Sequence, residues 1–307
     1  MSTPSSPTML LSFDLEDWSQ LTGAEVGRAG WDTPGPSFER QMRAIFDLLD
    51  ATGHRATFFL LGMTMRNYPD VAREIARRGD EVACHGYGHA RVFNLDRETF
   101  RRDVEEGIET AEKLTGRRPI GYRAPAFSIT RETLWALDVL AELGFAYDSS
   151  LYDSPRIPRR ILGIPSAPCT LKLPSGREIT EFPLARWSHG RFAVPVGGGS
   201  YWRFLPRRAL AWFLRDLGTQ NPFPAFYFHP YECDPEYLVA EASPGAALPQ
   251  RLRAAWLSAR YRPGQKRVLP RLRTLVETFK VTTYEQCLQQ LRDDPRSRTL
   301  SEGGVIV

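Results

Sequence analysis

Apolar runs and helical repeats alternate along the first half of the chain. Met9 to Phe13 is an apolar-rich run that predicts a buried strand ending at Asp14. From Phe38 to Leu49 the apolar residues recur at helical spacing, between Ser37 and Gly53, which predicts a capped helix. The same reading continues with strands at 55–61, 80–84, 120–123 and 145–147, and with helices at 69–78, 96–114 and 130–143. This alternation predicts a parallel α/β sheet or barrel.

The pattern changes between residues 151 and about 205, which are rich in Pro and Gly. A strand is predicted over 179–184, and the rest of this segment is expected to form loops inserted at the rim of a barrel. A helix over 206–217 and a strand over 224–228 follow, and residues 247–293 are predicted to be mostly helical. The expected organisation is a disordered arm over 1–8, a single domain over 9–293 and a flexible tail over 294–307.

Composition narrows the class of protein. The chain has 307 residues, 42% of them hydrophobic, and a net charge of +4 from 40 basic and 36 acidic residues. This balance argues against a nucleic-acid partner. The start of the chain lacks the pattern of a secretory signal, no apolar run is long enough for a membrane span, and the four cysteines have no C-x-x-C spacing. We expect a cytoplasmic protein, which could meet a lipid-linked substrate at the inner face of the membrane.

The segment HGYGH carries two histidines, His85 and His89, four residues apart. Histidines at this spacing can share a metal ion on one face of a helix, but the intervening Gly86 and Gly88 disfavour a helix. A turn after the strand at 80–84 is therefore expected to bring the two imidazoles together. Imidazole is the commonest metal-binding side chain, so this segment is a candidate metal site that needs a further ligand.

The segment FDLEDW crowds three carboxylates, Asp14, Glu16 and Asp17, at the end of the first strand. They would repel one another unless a cation or an arginine compensates their charge. One of them with two histidines would hold a metal with an open position for water, which suits hydrolysis. Strand alternation favours Glu16 as this ligand, whereas side-chain length and the turn favour Asp17, and the sequence leaves the choice open.

Five segments follow one another along the chain: FDLED at 13–17, HGYGH at 85–89, YRAPAF at 122–127, YDSS at 147–150 and FHP at 228–230. In this order they resemble the polysaccharide deacetylases of carbohydrate esterase family 4. The forms FDLEDW, RAPAFS, GGGSY and HPYE are most similar to the subgroup found with exopolysaccharide and exosortase systems. The resemblance covers residues 9 to 290. It implies a distorted (β/α)7-type barrel with inserted loops and a helical C-terminal part, and a divalent metal, most often Zn²⁺.

The resemblance also implies roles for individual residues. Asp14 corresponds to the catalytic base, Arg123 to the arginine that orients it, Asp148 to a supporting acid and His229 to the general acid. His85, His89 and either Glu16 or Asp17 correspond to the metal ligands, and the backbone N–H near Ala126 to an oxyanion donor. Most members have adjacent aspartates where this chain has Asp-Leu-Glu-Asp, and a Ser or Thr where it has Gly86.

The expected substrate is an N-acetylated glycan or a lipid-linked oligosaccharide. Trp18, Phe127 and Tyr201 are candidate substrate-binding side chains alongside Ala126, because aromatic faces pack on sugars. The expected function is metal-dependent removal of N-acetyl groups from amino sugars. Three alternatives remain: a deformylase, an allantoinase-like amide hydrolase on the same fold, and a sugar-binding module with an inactive site.

Overall fold

The computed structural model describes residues 7–27, 34–151, 164–189 and 192–293, together with a two-residue strand at 305–306. Its strands are β1 Thr8–Leu15, β2 Thr57–Leu60, β3 Glu81–Cys84, β4 Gly121–Tyr122, β5 Tyr147–Asp148, β6 Cys169–Lys172, β7 Glu178–Glu181, β8 Trp187–His189, β9 Phe192–Val194, β10 Ala225–Phe228, β11 Lys280–Thr282 and β12 Val305–Ile306. Its α-helices are α1 Trp18–Gly23, α2 Phe38–Thr52, α3 Gly62–Asn67, α4 Pro69–Arg77, α5 Arg97–Thr115, α6 Trp135–Glu142, α7 Gly199–Trp202, α8 Arg207–Gln220, α9 Leu248–Tyr261, α10 Val268–Thr278 and α11 Tyr284–Asp293.

The strands form one curled sheet in the order β10-β1-β2-β3-β4-β5-β7-β6-β12, and β11 pairs with β1. Neighbouring strands from β10 to β7 are parallel, whereas β6 and β7 form an antiparallel hairpin. The segment after β7 then approaches the free edge of β10, where Leu184 bridges Ala225. The sheet therefore curls into a distorted barrel, and the α/β barrel that the sequence predicted is confirmed.

Alternation along β1 separates the inside of the barrel from the outside. Leu11, Phe13 and Leu15 belong to the core beneath the surrounding helices. Leu10 belongs to the core inside the barrel, and Ser12 on the same face bonds the carbonyl of Phe226. Because successive strand residues point to opposite faces, Asp14 shares the inward face. A single strand thus brings a row of polar side chains toward the carboxyl end of the barrel.

Helix ends follow the signals in the sequence. Asp96 caps α5, because its carboxylate accepts the N–H of Thr99 at 2.7 Å. Gly53 and Gly116 end α2 and α5 in the left-handed conformation. Ser37 precedes α2 as expected, although its side chain makes no capping bond to the helix backbone.

The segment expected to form inserted loops contains more regular structure than its Pro and Gly content indicated. The hairpin β6–β7 joins the main sheet, β8 and β9 form a second hairpin, and α7 follows. The run Gly197–Gly199 lies against β10, where a side chain on Gly197 would meet the backbone of Ala185 and Ala225. These glycines therefore permit close backbone packing. Residues 152–163 and 190–191 of this segment lie outside the described residues.

The C-terminal part is mostly helical, as predicted, with one strand that the sequence did not indicate. This strand, β11, pairs in parallel with Thr8 to Leu10 of β1. Thr8 thus belongs to a strand, although the arm was expected to reach residue 8; residues 1–6 lie outside the described range. The expected tail also lies outside it, except for β12, which pairs with β6. The described residues contain no helix long and apolar enough to cross a membrane.

Candidate metal centre and active site

Glu16 lies among three imidazoles at the carboxyl end of the barrel. Its Oε1 atom is 3.2 Å from His85 Nε2 and 2.7 Å from His89 Nε2. Its Oε2 atom is 3.4 Å from His229 Nε2. The ligand atoms of Glu16, His85 and His89 all lie within 4.8 Å of one another. This is a donor set of two imidazoles and one carboxylate, which suits a divalent metal such as Zn²⁺.

The hydrogen bonds of His85 leave its second nitrogen facing the candidate site. His85 Nδ1 lies 2.8 Å from the backbone carbonyl of Arg123, which can only accept a hydrogen bond. Nδ1 therefore carries the proton, and in neutral His85 the Nε2 lone pair faces the carboxylate of Glu16. Two acceptors that face each other need a cation or a proton between them, so the residues fit a metal ion.

Asp17, the other carboxylate left open by the sequence, is directed elsewhere. It is fully buried, and its Oδ2 atom accepts the hydroxyl of Tyr68 at 2.6 Å and the N–H of Gly35 at 2.8 Å. Its Oδ1 atom accepts the N–H of Ser19. Strand alternation thus brings Glu16 to the histidines, whereas the turn commits Asp17 to holding the following loop.

The glycines of HGYGH let the backbone of this loop approach the carboxylate of Asp103 on α5. Asp103 accepts the N–H groups of Tyr87 and Gly88 at 3.0 and 2.9 Å. Gly86 has a positive φ of 75°, and a Cβ there would lie 2.6 Å from Asp103 Oδ2. Asp103 therefore holds this loop in place. At the end of the loop, His89 itself adopts a positive φ of 56°. Such strain in a non-glycine residue is typical of functional sites.

Asp14 is held by a buried arginine just below the histidines. Arg123 Nη1 donates to Asp14 Oδ1 at 2.6 Å, and both side chains are almost completely buried. The guanidinium also donates to Ser12 Oγ, to Ser149 Oγ and to the Tyr284 hydroxyl. Arg123 is thus fixed on several sides, and it fixes one oxygen of Asp14 in turn.

His229 lies across Glu16 from the other histidines and has its own carboxylate partner. Glu232 Oε2 lies 3.2 Å from His229 Nδ1 and accepts the N–H of His229, and the ring of Tyr231 stacks on the imidazole at 4.8 Å. Burial by itself would lower the pKa of His229, but Glu16, Glu232 and Asp14 outweigh it and raise the pKa to about 9. His229 is therefore protonated at neutral pH in this arrangement.

The neighbouring histidines in turn compensate the negative charge of Glu16. Burial alone would raise its pKa, but when the imidazoles carry protons the charges of His89 and His229 and the hydrogen bonds from His85 and His89 hold the pKa well below its usual value. Glu16 is thus an ionised carboxylate in a buried place. A bound cation would take over part of this compensation, while Glu232 and Asp14 would still favour the protonated form of His229.

Asp148, which the resemblance gave a supporting role, makes its hydrogen bonds with Ser150. Its carboxylate accepts the N–H and the hydroxyl of Ser150 at 2.9 and 2.6 Å, and it lies beside Glu181 of β7. The residue after it, Ser149, makes the contacts to Arg123. The end of β5 therefore supports the arginine through Ser149, and Asp148 belongs to a separate buried acidic pair.

The candidate substrate-binding residues divide into exposed and buried ones. Trp18 is only 3% exposed and packs against the rings of Tyr231 and Tyr261, so it stabilises the wall of the site and offers no open face. Phe127 is also largely buried, against Tyr227. Tyr201 is half-buried against the main core. Ala126 is exposed and adopts a positive φ of 54°.

Several residues of the site were not found by sequence reasoning. Glu232 has a local signal, because it lies three residues after His229 in HPYE, where the acid can reach the imidazole. Tyr284 has none, since it lies 161 residues from Arg123 and reaches it from the start of α11. Asp103 lies in the middle of a charged helix and looks like a surface residue.

Comparison with protein families divides the chain into two regions. Residues 29–147 match the family described as polysaccharide deacetylase, and residues 149–289 match a domain of unknown function, DUF3473. The two regions fold together, because β5 of the first pairs with β7 of the second. His85, His89 and Arg123 come from the first region, and His229, Glu232 and Tyr284 come from the second. Glu16 precedes both.

Several of the matching relatives have names that describe deacetylases or deacetylase-like proteins, from bacteria and a fungus. The peptidoglycan deacetylase-like protein FGM2 of Gibberella zeae is 36% identical over 109 residues, which are 35% of this chain and 31% of that protein. A peptidoglycan-N-acetylglucosamine deacetylase of Bacillus cereus is 30% identical over 105 residues, 34% of this chain and 38% of that protein. The chain thus spans about a third of the length of the curated relatives it matches.

Solved structures agree on the fold. A Mycobacterium smegmatis protein described as a polysaccharide deacetylase has a TM-score of 0.58 at 24% identity, over 95% of this chain and 93% of that one. PuuE allantoinase gives the same TM-score and coverage at 18% identity. The fold and the donor set define an α/β barrel with a candidate metal centre at the carboxyl end of its strands. Residues 29–147 are thus similar to the polysaccharide deacetylase family and residues 149–289 to DUF3473, and each match covers less than half of the chain.

Proposed function

We propose that this protein is a metal-dependent deacetylase that removes N-acetyl groups from amino-sugar units of a glycan. The observation that carries the proposal is the convergence of Glu16, His85 and His89 between Asp14 and His229. The names of two relatives, a peptidoglycan deacetylase-like protein and a peptidoglycan-N-acetylglucosamine deacetylase, support an N-acetylated sugar polymer as substrate. An exopolysaccharide or its lipid-linked precursor is the substrate we favour.

Glu16, His85 and His89 would hold the metal, and the two-imidazole, one-carboxylate set favours Zn²⁺. When bound, such a cation polarises the amide carbonyl and lowers the pKa of water at its open position. Asp17 takes no part, because its oxygens already accept hydrogen bonds from Tyr68, Gly35 and Ser19.

Asp14 and His229 would divide the proton transfers. Asp14 accepts the proton of the attacking water, and Arg123 holds its Oδ1 atom so that the other oxygen can face the substrate. The water oxygen bonds to the acetyl carbon and the carbon–nitrogen bond breaks. His229, protonated at neutral pH, donates from Nε2 to the leaving nitrogen, and acetate and a free amine result. The backbone N–H of Ala126, an exposed residue, would stabilise the developing oxyanion.

A panel of N-acetylated oligosaccharides tests this function. We expect the purified protein to contain a divalent metal and to release acetate from amino-sugar oligomers, and His85→Ala to lose both properties. His189→Ala is the matched control, because this histidine is exposed on the β8–β9 hairpin and packs on Trp187. Metal content and acetate release that are equal in wild type and His85→Ala would contradict the proposal. Release of formate, or hydrolysis of allantoin instead of acetylated sugars, would favour the deformylase or allantoinase-like alternatives.

A cytoplasmic location is part of the proposal. Cys84, Cys169, Cys233 and Cys287 are all buried and free, which is typical of a reducing compartment. Fractionation of cells that make the untagged protein should recover it with the cytoplasm or the inner membrane, and recovery from the medium would contradict this location.

A further inference from the structure

Helix α9 exposes a row of large apolar side chains. Leu248, Leu252 and Trp256 follow one another at intervals of four residues and are 65%, 61% and 44% exposed. Side chains at this spacing lie on one face of a helix. The opposite face is buried, because Ala254 and Leu257 pack in the aromatic cluster of the site wall. Since α9 already has a buried face, the exposed row is a second apolar face, which we call the α9 stripe.

The α9 stripe lies in the most basic part of the chain. Residues 242–276 contain eight Arg and Lys side chains and no Asp or Glu. At about 100° per residue, Arg253 and Arg260 border the stripe on one side, and Arg251 and Arg262 border it on the other. The Arg253 guanidinium lies 4.2 Å above the ring of Trp256 and also pairs with Glu25, and that of Arg260 lies 5.0 Å above the same ring. The apolar row is thus flanked by cations on both sides.

The surface continues beside the helix. An open groove of about 910 Å³ runs between α9 and residues 239–246, and Arg251, Arg262 and one acid, Glu241, line it together with several alanines. Val239 and Tyr237 next to it are 57% and 45% exposed, and Lys266 lies 4.3 Å above the ring of Tyr237. Exposed apolar side chains and cations therefore lie together on this face, with Glu241 as an acid in the groove.

We propose that α9 docks the protein on the surface of an anionic lipid bilayer. A helix with Leu and Trp on one face and arginines on its borders lies in the plane of the bilayer, with the apolar face at the level of the headgroups and the arginines on their phosphates. The four arginines that border the α9 stripe are complementary to a surface of acidic lipids, although Arg253 already pairs with Glu25. A nucleic acid would use the cations but would leave the Leu and Trp row in water.

Docking through α9 brings the candidate site close to the membrane. The buried face of α9 packs on Trp18 and Tyr231, and Tyr231 stacks on His229. One layer of side chains thus separates the docked helix from the candidate general acid. If the proposed function holds, this orientation presents the site to glycans that are attached to lipids, but docking itself does not depend on catalysis.

Co-sedimentation of the full-length protein with lipid vesicles tests the proposal. We expect binding to vesicles of equal parts phosphatidylcholine and phosphatidylglycerol, little binding to phosphatidylcholine alone, and weaker binding as salt is added, because the attraction is screened. Trp256→Ala combined with Leu252→Ser should weaken binding by about tenfold or more, since two large apolar groups no longer insert. Arg251→Glu combined with Arg260→Glu should remove the preference for anionic vesicles.

Trp212→Ala is the matched control. Trp212, at 52%, is slightly more exposed than Trp256, but it lies on α8 and packs on Trp187. Its variant should bind as wild type does, and all variants should keep the wild-type unfolding temperature because the changed side chains are exposed. Absence of vesicle binding, equal binding to neutral vesicles, or loss of binding in Trp212→Ala but not in the Trp256 variant would overturn the proposal.

Self-association abolished by the Trp256 variant, without vesicle binding, would instead identify an interface between copies of the chain. Acetate release from soluble oligomers is measured on the same variants, so a failure of docking is distinguished from a failure of the proposed function.

Discussion

Two groups of ionisable side chains lie at the carboxyl end of the barrel, and their surroundings shift the carboxyl pKa values in opposite directions. Glu16 lies among three imidazoles, which hold its pKa well below the usual value. Asp148 and Glu181 lie side by side on β5 and β7, and both are fully buried. Burial first, and then the neighbouring carboxyl group, raise the pKa of Glu181, and burial raises that of Asp148.

This difference in pKa distinguishes the candidate metal site from the buried acidic pair of the surrounding strands. A buried carboxylate that stays ionised among neutral or cationic imidazoles offers a place for a metal ion. A pair of buried acids holds a proton between them instead, because two like charges cannot both ionise there. The first group can therefore carry chemistry, whereas the second fixes the strands that support Arg123.

The largest effect that bears on this comparison is expected for His229→Ala. It removes the group that is protonated beside Glu16, so acetate release should fall by roughly 10²–10⁴-fold, the usual contribution of a positioned proton donor. Metal content should stay at the wild-type level, because His229 is not among the proposed ligands. Rate and metal content are measured on the same preparation. Near-wild-type acetate release would refute the role of His229, and loss of the metal would assign it to the ligand set.

A smaller effect, on stability, is expected for Glu181→Gln. In the folded protein the acids of this pair have raised pKa values, so above about pH 4 the folded state binds more protons than the unfolded state. The stability of the wild type should therefore fall as the pH rises from about 4 toward the folded pKa values, by about 1.4 kcal/mol for each unit of pKa shift. The variant lacks one of these acids, so its stability should fall less between pH 5 and pH 8.

Chemical denaturation at the two pH values checks this expectation. Glu178→Gln is the matched control, because Glu178 lies on the same strand but is exposed, and its pH dependence should equal that of the wild type. Glu81, whose pKa burial raises to about 6, contributes equally to all three proteins. An identical pH dependence in wild type and Glu181→Gln would show that the acidic pair does not hold a shared proton.

The sequence predicted the parts of the fold that depend on neighbouring residues. The parallel strands up to β5 and the helices between them follow from apolar runs, helical spacing and end signals such as Asp96 and Gly116. It did not predict β11, because the apolar character of Lys280–Thr282 is weak and its partner β1 lies at the other end of the chain. The hairpins in the segment after residue 164 were missed because glycines that pack against β10 look the same as glycines in loops.

In the candidate site, too, features set by neighbouring residues could be predicted, whereas features set by distant residues could not. The histidines and Arg123 have motifs that can be recognised, whereas the choice between Glu16 and Asp17 depends on Tyr68, which lies 51 residues away and takes Asp17 out of the site. Trp18 looked like a surface for sugars, but α9 covers it with Tyr261 from the C-terminal part. Local patterns thus indicated the chemistry, and long-range packing decided which side chains remain available for it.

Metal stoichiometry in Glu16→Gln and Asp17→Asn tests the central claim most directly. Elemental analysis of the purified, folded proteins should find a divalent metal in the wild type and in Asp17→Asn, and little or none in Glu16→Gln. Tyr68→Phe, which removes the hydroxyl that bonds Asp17 but leaves both carboxylates in place, should also keep the metal and covers the case in which Asp17→Asn does not fold. A metal-loaded Glu16→Gln, or a folded Asp17→Asn without metal, would contradict the account.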